Sequence, residues 1–444
     1  MTSSVLVLVA LLASPAVAQE SQFQADLRRE GEDLRSACGN GFKPKALVGC
    51  VIAVATDDPF HVAVGSLPPL NGMGFGLAFS EHYTPNEHWR INWNADSVLA
   101  TSGSWRAGAY MKIVQIPERG LTVVPAGATT PSRPSVTITE YPVYNFYVQT
   151  ISLDKLVVAA GQDPFSERQT IVGTNVIYPL TRVAAIRDLR PSLVGSVNGR
   201  FLDIRSGSLG LSQSPSFVQF EEGIRFKPTV LDRLNLNYLV DFQQFSTSSE
   251  THASFHRWSL DLKHEFPLYR TVSSTGPKDT NGPDDCFQSV GSRGCPAVSY
   301  SRNREGSVNL RLLTIRSGAS SDSTVPFYFQ PTLGGSDLNG QRLLSAYDDY
   351  RFRGPNLFAL QESVEHSIWG PIGAYLLLEQ GKVTQDGSAP GFGDLARSVA
   401  VGVTLRAGGF PLINLTFAWG GGSHHIIGSI DPSLTGGSAR PSLY

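Results

Sequence analysis

Charge is scarce in this chain: Asp, Glu, Lys and Arg make up 17% of its 444 residues, against about 25% in ordinary soluble domains. The formal net charge is −2, which leaves no electrostatic basis for nucleic acid as a partner. Long hydrophobic runs are missing too. Beyond residue 20 no stretch approaches the roughly 18 apolar residues of a membrane-spanning helix, although 41% of the residues are hydrophobic. The four cysteines form two close pairs, Cys38 with Cys50 and Cys286 with Cys295, and neither has the CxxC spacing of a zinc ribbon. There is no G-x-S-x-G elbow, no H-E-x-x-H, no P-loop and no G-x-G-x-x-G after a strand. The adjacent pair His424-His425 would point to opposite faces of a strand and so makes a poor metal site. No catalytic residue, metal or cofactor is expected.

What is present begins with an apolar run, Val5 to Leu12, followed by the small residues Ala16-Val17-Ala18 before Gln19. This predicts a signal peptide over 1–18 and export, although no Lys or Arg precedes the run. In an oxidising compartment Cys38, Cys50, Cys286 and Cys295 are candidates for two disulfides closing short loops. A short N-terminal segment, 19–60, would follow, with a polar stretch from Ser21 to Ala37 that lies in the periplasm or plugs a barrel mouth.

From residue 73 to 430 the dominant period is two. Leu234, Leu236, Tyr238, Val240 and Phe242 alternate with Arg233, Asn235, Asn237, Leu239 and Asp241, so one face is apolar and the other almost wholly polar. Residues 257–266 repeat the pattern, with Trp258, Leu260, Leu262 and Phe266 opposite Arg257, Ser259, Asp261, Lys263 and Glu265; His264 interrupts the apolar face. Trp89, Ile91 and Trp93, the valines 399, 401 and 403, and Leu415, Phe417 and Trp419 continue it. Runs of nine or ten residues exceed the usual sandwich strand of about five or six and match the roughly 9–11 of a transmembrane barrel strand. No repeat marks propeller blades. At about 23 residues per strand and its loop, His61 to Pro432 holds about 16 strands. The stretches 274–285, 316–325 and 384–394 read as the longer loops.

The order of motifs in the last third is specific. Thr332-Leu-Gly-Gly-Ser-Asp337 is followed by Ala346-Tyr-Asp-Asp-Tyr-Arg-Phe-Arg-Gly354, Val364-Glu-His-Ser-Ile-Trp-Gly-Pro-Ile-Gly373 and Leu376-Leu-Leu-Glu-Gln-Gly-Lys-Val383. This order resembles the closing part of the bacterial surface antigen family, the BamA- and TamA-type outer-membrane assembly barrels. A weaker likeness opens the barrel, where Val64 to Pro68 leads into Gly74 to Phe79. The resemblance implies an all-β fold: a transmembrane antiparallel β-barrel of 16 strands over 61–432, with a loop folded into the lumen and a C-terminal tail at 433–444. The segment between Gln19 and that barrel is shorter than one of the family's periplasmic POTRA modules, so a member without them is expected.

In the family the inner loop carries an Arg-Gly-aromatic tip held by an acid on the barrel wall. Aligning Tyr347 with the aromatic puts Ser345 and Ala346 where Arg and Gly are expected, and the wall acid becomes Glu379, ahead of Gly381. The resemblance therefore implies a lock of Tyr347, Arg351, Arg353, Gly354, Glu379 and Gly381, with Arg351 or Arg353 replacing the lost tip cation. The expected localisation is the bacterial outer membrane, the expected partners are its lipids and envelope proteins that supply the periplasmic function, and the activity is protein assembly or translocation. A passive pore or receptor for small solutes with a loop-constricted lumen is the alternative. A structural surface barrel with no transport role is a third. The tail's prolines and glycines do not read as strand, so either it extends into the periplasm or the insertion signal lies in the strand before it, His424 to Ile430.

Overall fold

The computed structural model describes residues 60–86, 88–115, 141–157, 164–180, 191–206, 210–227, 229–230, 234–247, 253–275, 299–369, 372–385, 393–407, 410–430 and 440–443. The predicted signal peptide, the stretch Ser21 to Ala37 and all the cysteines, Cys38, Cys50, Cys286 and Cys295, lie outside the described residues. The chain divides into two compact units, residues 1–62 and 63–444, and the second carries the fold.

In chain order the strands are β1 (Phe60–Ser66), β2 (Met73–Asn86), β3 (Trp89–Ala100), β4 (Trp105–Gln115), β5 (Val143–Leu156), β6 (Phe165–Pro179) and β7 (Pro191–Ser206). There follow β8 (Leu211–Gln213), β9 (Ser216–Phe226), β10 (Thr229–Val230), β11 (Leu234–Thr247), β12 (Phe255–Thr275) and β13 (Ser299–Ala319). Two short pieces, β14 (Thr332–Leu333) and β15 (Phe352–Arg353), pair with each other inside the connection to β16 (Asn356–Trp369). The series closes with β17 (Ile372–Thr384), β18 (Ala396–Ala407), β19 (Phe410–Gly420) and β20 (Ser423–Ile430).

All but β14 and β15 belong to one 18-stranded sheet; without the short β8 and β10, sixteen long strands remain. From β2 to β20 each long strand pairs antiparallel with the next long strand along the chain, and β1 pairs with β2. The fold is thus the all-β, up-and-down antiparallel wall that the alternation predicts. Among the described residues no helix is long and apolar enough to cross a membrane, which leaves crossing by strands open.

Polarity is inverted relative to a water-soluble core. Leu77, Trp93, Phe201, Trp258, Val403 and Leu415 lie on the outer face with 46–70% of their surface exposed. Arg106, Gln149, Asn198, Gln219, Asp241 and Glu379 are buried on the inner face. Adjacent strands keep this in register: Val240 faces Leu260 and Phe242 faces Trp258, while the intervening pair is Asp241 with Ser259. Ser259 Oγ donates to the Asp241 carboxylate at 2.7 Å, and the outer Phe242 and Trp258 rings lie 4.8 Å apart. His264, the interruption of the outer face, is bonded through Nε2 to the Tyr238 hydroxyl at 2.5 Å, so that nitrogen is satisfied without water.

The sheet curls around the segment 326–355. The short 3-10 turn Phe327–Phe329 packs on inward aromatics of β6, β9, β11 and β12, with Phe329 5.0 Å from Phe217 and 5.0 Å from Phe245. The same segment reaches β17, β18 and β20 through Ser345 and Ala346. The stretch 316–325, expected to be a loop, begins as strand: Arg316 to Ala319 pair with Trp258 to Phe255. The reason is cross-strand pairing with β12, which carries β13 through Ser317 and Gly318 despite their local preference for a turn. The strand predicted at His424 to Ile430 is present as β20, paired with β19. The tail does not run outward at its end, because Arg440 to Leu443 lie against the inner face, with Leu443 buried in the aromatic cluster.

Candidate functional site

The inner loop docks at two places, and the elements around each explain the motifs. At the first, two arginines grip backbone carbonyls of the 3-10 turn and a third lies over one of its rings. Arg353 donates to Phe327 O at 2.7 Å and to Val157 O at 3.1 Å. Arg257, on β12, donates to Phe329 O and, at 3.3 Å, to Ser317 Oγ. Arg200, on β7, donates to Gln219 Oε1 at 2.7 Å and lies over the Phe245 and Phe329 rings at 5.9 and 5.8 Å. A guanidinium presents five donors and stacks on aromatic faces, so it can satisfy carbonyls within an apolar cluster where water is excluded.

At the second place the tip Ser345-Ala346-Tyr347 meets the wall. Glu379 Oε2 accepts the Ser345 backbone N–H at 2.5 Å, and its other oxygen accepts from the Gln361 amide at 3.0 Å. The second hydrogen of that amide goes to Arg342 O at 2.9 Å. Ser398 Oγ accepts the Ala346 N–H at 3.0 Å, and Ser423 Oγ donates to Ala346 O at 2.5 Å. The wall groups form one row, because Arg311 is the register partner of Gln361, Gln361 of Glu379, and Glu379 of Ser398. Asp261 anchors the row with a two-point contact to Arg311 at 2.9 and 3.0 Å.

Small residues make the row accessible. Ala346 packs on Ala400 and Ala418. A Cβ added at Gly421 would sit 2.5 Å from the Tyr347 ring, and one at Gly381 would sit 3.1 Å from Leu333 Cδ1 and 2.8 Å from Phe358 O. The Gly334-Gly335 turn is equally tight: side chains there would meet Asp348 O at 2.5 Å and Asp349 Oδ1 at 2.0 Å. Leu344 and Tyr350 adopt φ of +60°, a conformation that costs a non-glycine residue about 1–2 kcal/mol. Strain of this kind on both sides of the tip persists only because the docking contacts over-determine the loop.

Burial dominates the electrostatics of the loop. It lowers the Arg342 pKa, partly opposed by the nearby Asp349, Tyr375 and Glu379, and it raises that of Asp349 against the Ser336 N–H that the carboxylate accepts. The Tyr350 phenol, fully buried, is pushed well above its usual range by the same burial.

Of the residues singled out from sequence, Tyr347 belongs to the tip, Glu379 bonds it, and Gly381 lies against Leu333 at the start of the loop. Gly354 N–H donates to Pro331 O at 3.3 Å at the base of the loop. The expected arginine partner of Glu379 is replaced by the Ser345 amide: Arg353 is engaged with carbonyls at the other dock, and Arg351 is exposed. The physical reason is distance along the loop, since the β14–β15 pairing turns Arg353 away from the tip. His424 and His425 do point to opposite faces, the latter 3.5 Å from Asp348. Sequence reading missed Gln361, Arg311, Ser398 and Ser423 at the tip, and Arg200 and Arg257 at the turn. Their inward alternation was readable, but the register that aligns them was not.

No protein-family model matches the chain, and no curated protein matches it. Solved structures similar to it include CdiB from Acinetobacter baumannii, 12% identical over 81% of this chain with a TM-score of 0.49. BamA from Haemophilus ducreyi lacking POTRA domains 1–3 is 9% identical over 83%, with a TM-score of 0.49. CdiB from Escherichia coli is 11% identical over 90%, with a TM-score of 0.48. The chain spans 56% of the first of these, 69% of the second and 72% of the third.

Proposed function

We propose that this chain is an outer-membrane β-barrel of the bacterial surface antigen type, plugged by its inner loop, that acts in the insertion or translocation of proteins at that membrane. The observation that carries the reading is a loop docked by polar contacts inside a wall whose outward face is apolar. An apolar belt of this extent would aggregate in water and is stable against lipid. The inner loop and residues 440–443, both held against the inner wall, disfavour a passive pore. The loop's second dock is polar, made by hydrogen bonds to Glu379, Gln361, Ser398 and Ser423, and a substrate that offers equivalent groups would open it by exchange. Partners under this reading are outer-membrane lipids and envelope proteins that deliver the substrate, and no catalytic step is assigned to the chain.

Single-channel conductance of the refolded protein in planar bilayers tests the reading, measured before and after deletion of residues 338–355. The intact chain should be mostly closed and the deletion should conduct steadily. Large, stable currents from the intact chain would replace this proposal with the pore or solute-receptor reading.

A further inference from the structure

The chain's own residues 440–443 occupy the interior, and the way they are held is that of a bound peptide. Arg440 Nη2 donates to Asp96 Oδ2 on β3 at 2.8 Å, beside the 3.0 Å contact from Arg106 to the same oxygen. The Ser442 carbonyl accepts from Arg200 Nη2 on β7 at 2.9 Å. Asn339, on the inner loop, reads the main chain and the serine together: its Oδ1 accepts the Leu443 N–H at 2.7 Å and its Nδ2 donates to Ser442 Oγ at 3.1 Å. Leu443 is buried in the aromatic cluster around Phe329. None of these residues belongs to a strand, so no ladder holds them in place.

Two features show that the surrounding groups exceed what this segment uses. Asp96 Oδ1 and Arg200 Nη1 are buried and have no hydrogen-bond partner among the described residues. Beside the segment lies a cavity of about 240 Å³, lined by polar side chains of the wall, among them Asn145, Asn198 and Gln243, together with Arg440, Pro441 and Ser442 themselves. Buried polar groups left unsatisfied are costly and mark a place where further polar ligand atoms would be welcome.

We propose that the interior carries a binding site for an extended peptide with a basic residue three positions before an apolar one, and that residues 440–443 are its resident, displaceable ligand. Asp96 selects the cation, the aromatic cluster accepts the apolar side chain, and Arg200 and Asn339 read the main chain, which any extended segment presents. Proline at 441 pre-sets the backbone and so reduces the ordering cost of occupancy. The segment also bonds the inner loop through Asn339, so its departure frees one contact of that loop. The proposal stands whether the barrel moves proteins or conducts solutes.

The test is binding of a fluorescent peptide of residues 438–444 to the folded protein in detergent, with folding checked by the heat-dependent shift on gels. A full-length Arg440→Ala chain, whose wall is intact but whose own segment is weakened, should bind the peptide saturably. The unaltered chain should bind it about tenfold less, and an Arg440→Ala version of the peptide should bind about tenfold less to the variant chain, as expected for loss of a charge-assisted bond. A chain lacking residues 440–444 should behave as the Arg440→Ala chain does. No saturable binding by folded Arg440→Ala protein, or equal binding of the two peptides, overturns the proposal. Because the readout is binding, its failure is separable from a failed conductance test.

Discussion

Glu379 accepts the Ser345 backbone N–H at 2.5 Å with one oxygen and the Gln361 amide at 3.0 Å with the other. A single wall carboxylate therefore ties the tip of the inner loop to two adjacent strands. Gln361 spends its second amide hydrogen on Arg342 O, so the loop is held from both sides of one row of residues.

Glutamine at 379 keeps a single acceptor oxygen and can satisfy Ser345 or Gln361 but not both. Glu379→Gln should lose a charge-assisted bond worth about 1.5–3 kcal/mol and lower the temperature at which the folded band disappears on detergent gels. The effect should be non-additive with Gln361→Leu, since the two residues share one network. An unchanged transition temperature would remove Glu379 from the dock.

At the other dock, Arg353→Ala leaves the part-buried Phe327 O and Val157 O without this donor, a loss of about 0.5–1.5 kcal/mol for each bond. Hydrogen exchange across 326–355 should accelerate while the wall strands stay protected. Arg351→Ala, at an exposed position, should leave the exchange pattern as it was; equal effects of the two substitutions would mean that the carbonyl contacts do not hold the turn.

Gly421 has a φ of +57° and faces the Tyr347 ring at a distance that excludes a methyl group. Gly421→Ala should push the tip out of its cradle and raise open-channel events in bilayers. Tyr347→Ala in the same chain should partly reverse this by making room. If Gly421→Ala behaves as the unaltered protein, the cradle does not set the closed state.

Val403 lies on the outer face of β18, half exposed. Arginine there would cost about 2–4 kcal/mol near the middle of a bilayer, whereas an exposed valine of a soluble protein tolerates the change within about 0.5 kcal/mol. Folding yield into lipid vesicles should fall sharply for Val403→Arg. An unaffected yield would contradict the membrane placement.

The inner tip illustrates how far the order of residues reaches. The motif alignment placed Ser345 opposite Glu379, and the structure brings them together, yet the contact runs through a backbone amide that no side-chain pattern announces. Arg351 and Arg353 are the cations that the sequence offers in place of the lost tip charge, and the short β14–β15 pairing sends Arg353 to the opposite dock.

What the amino-acid order determined by itself is the wall and its two faces. A strand's side chains alternate by geometry, so the polar and apolar sets of 234–242 and 257–266 were sorted before any partner was known. Only the tertiary structure decided which strands adjoin and in what register. That choice aligned Arg311, Gln361, Glu379 and Ser398 into one row, turned Arg353 toward carbonyls, and drew Arg440 to Leu443 into the interior. These contacts join residues far apart in the chain, and their energies depend on burial and on partners supplied by other strands, quantities that no local period encodes.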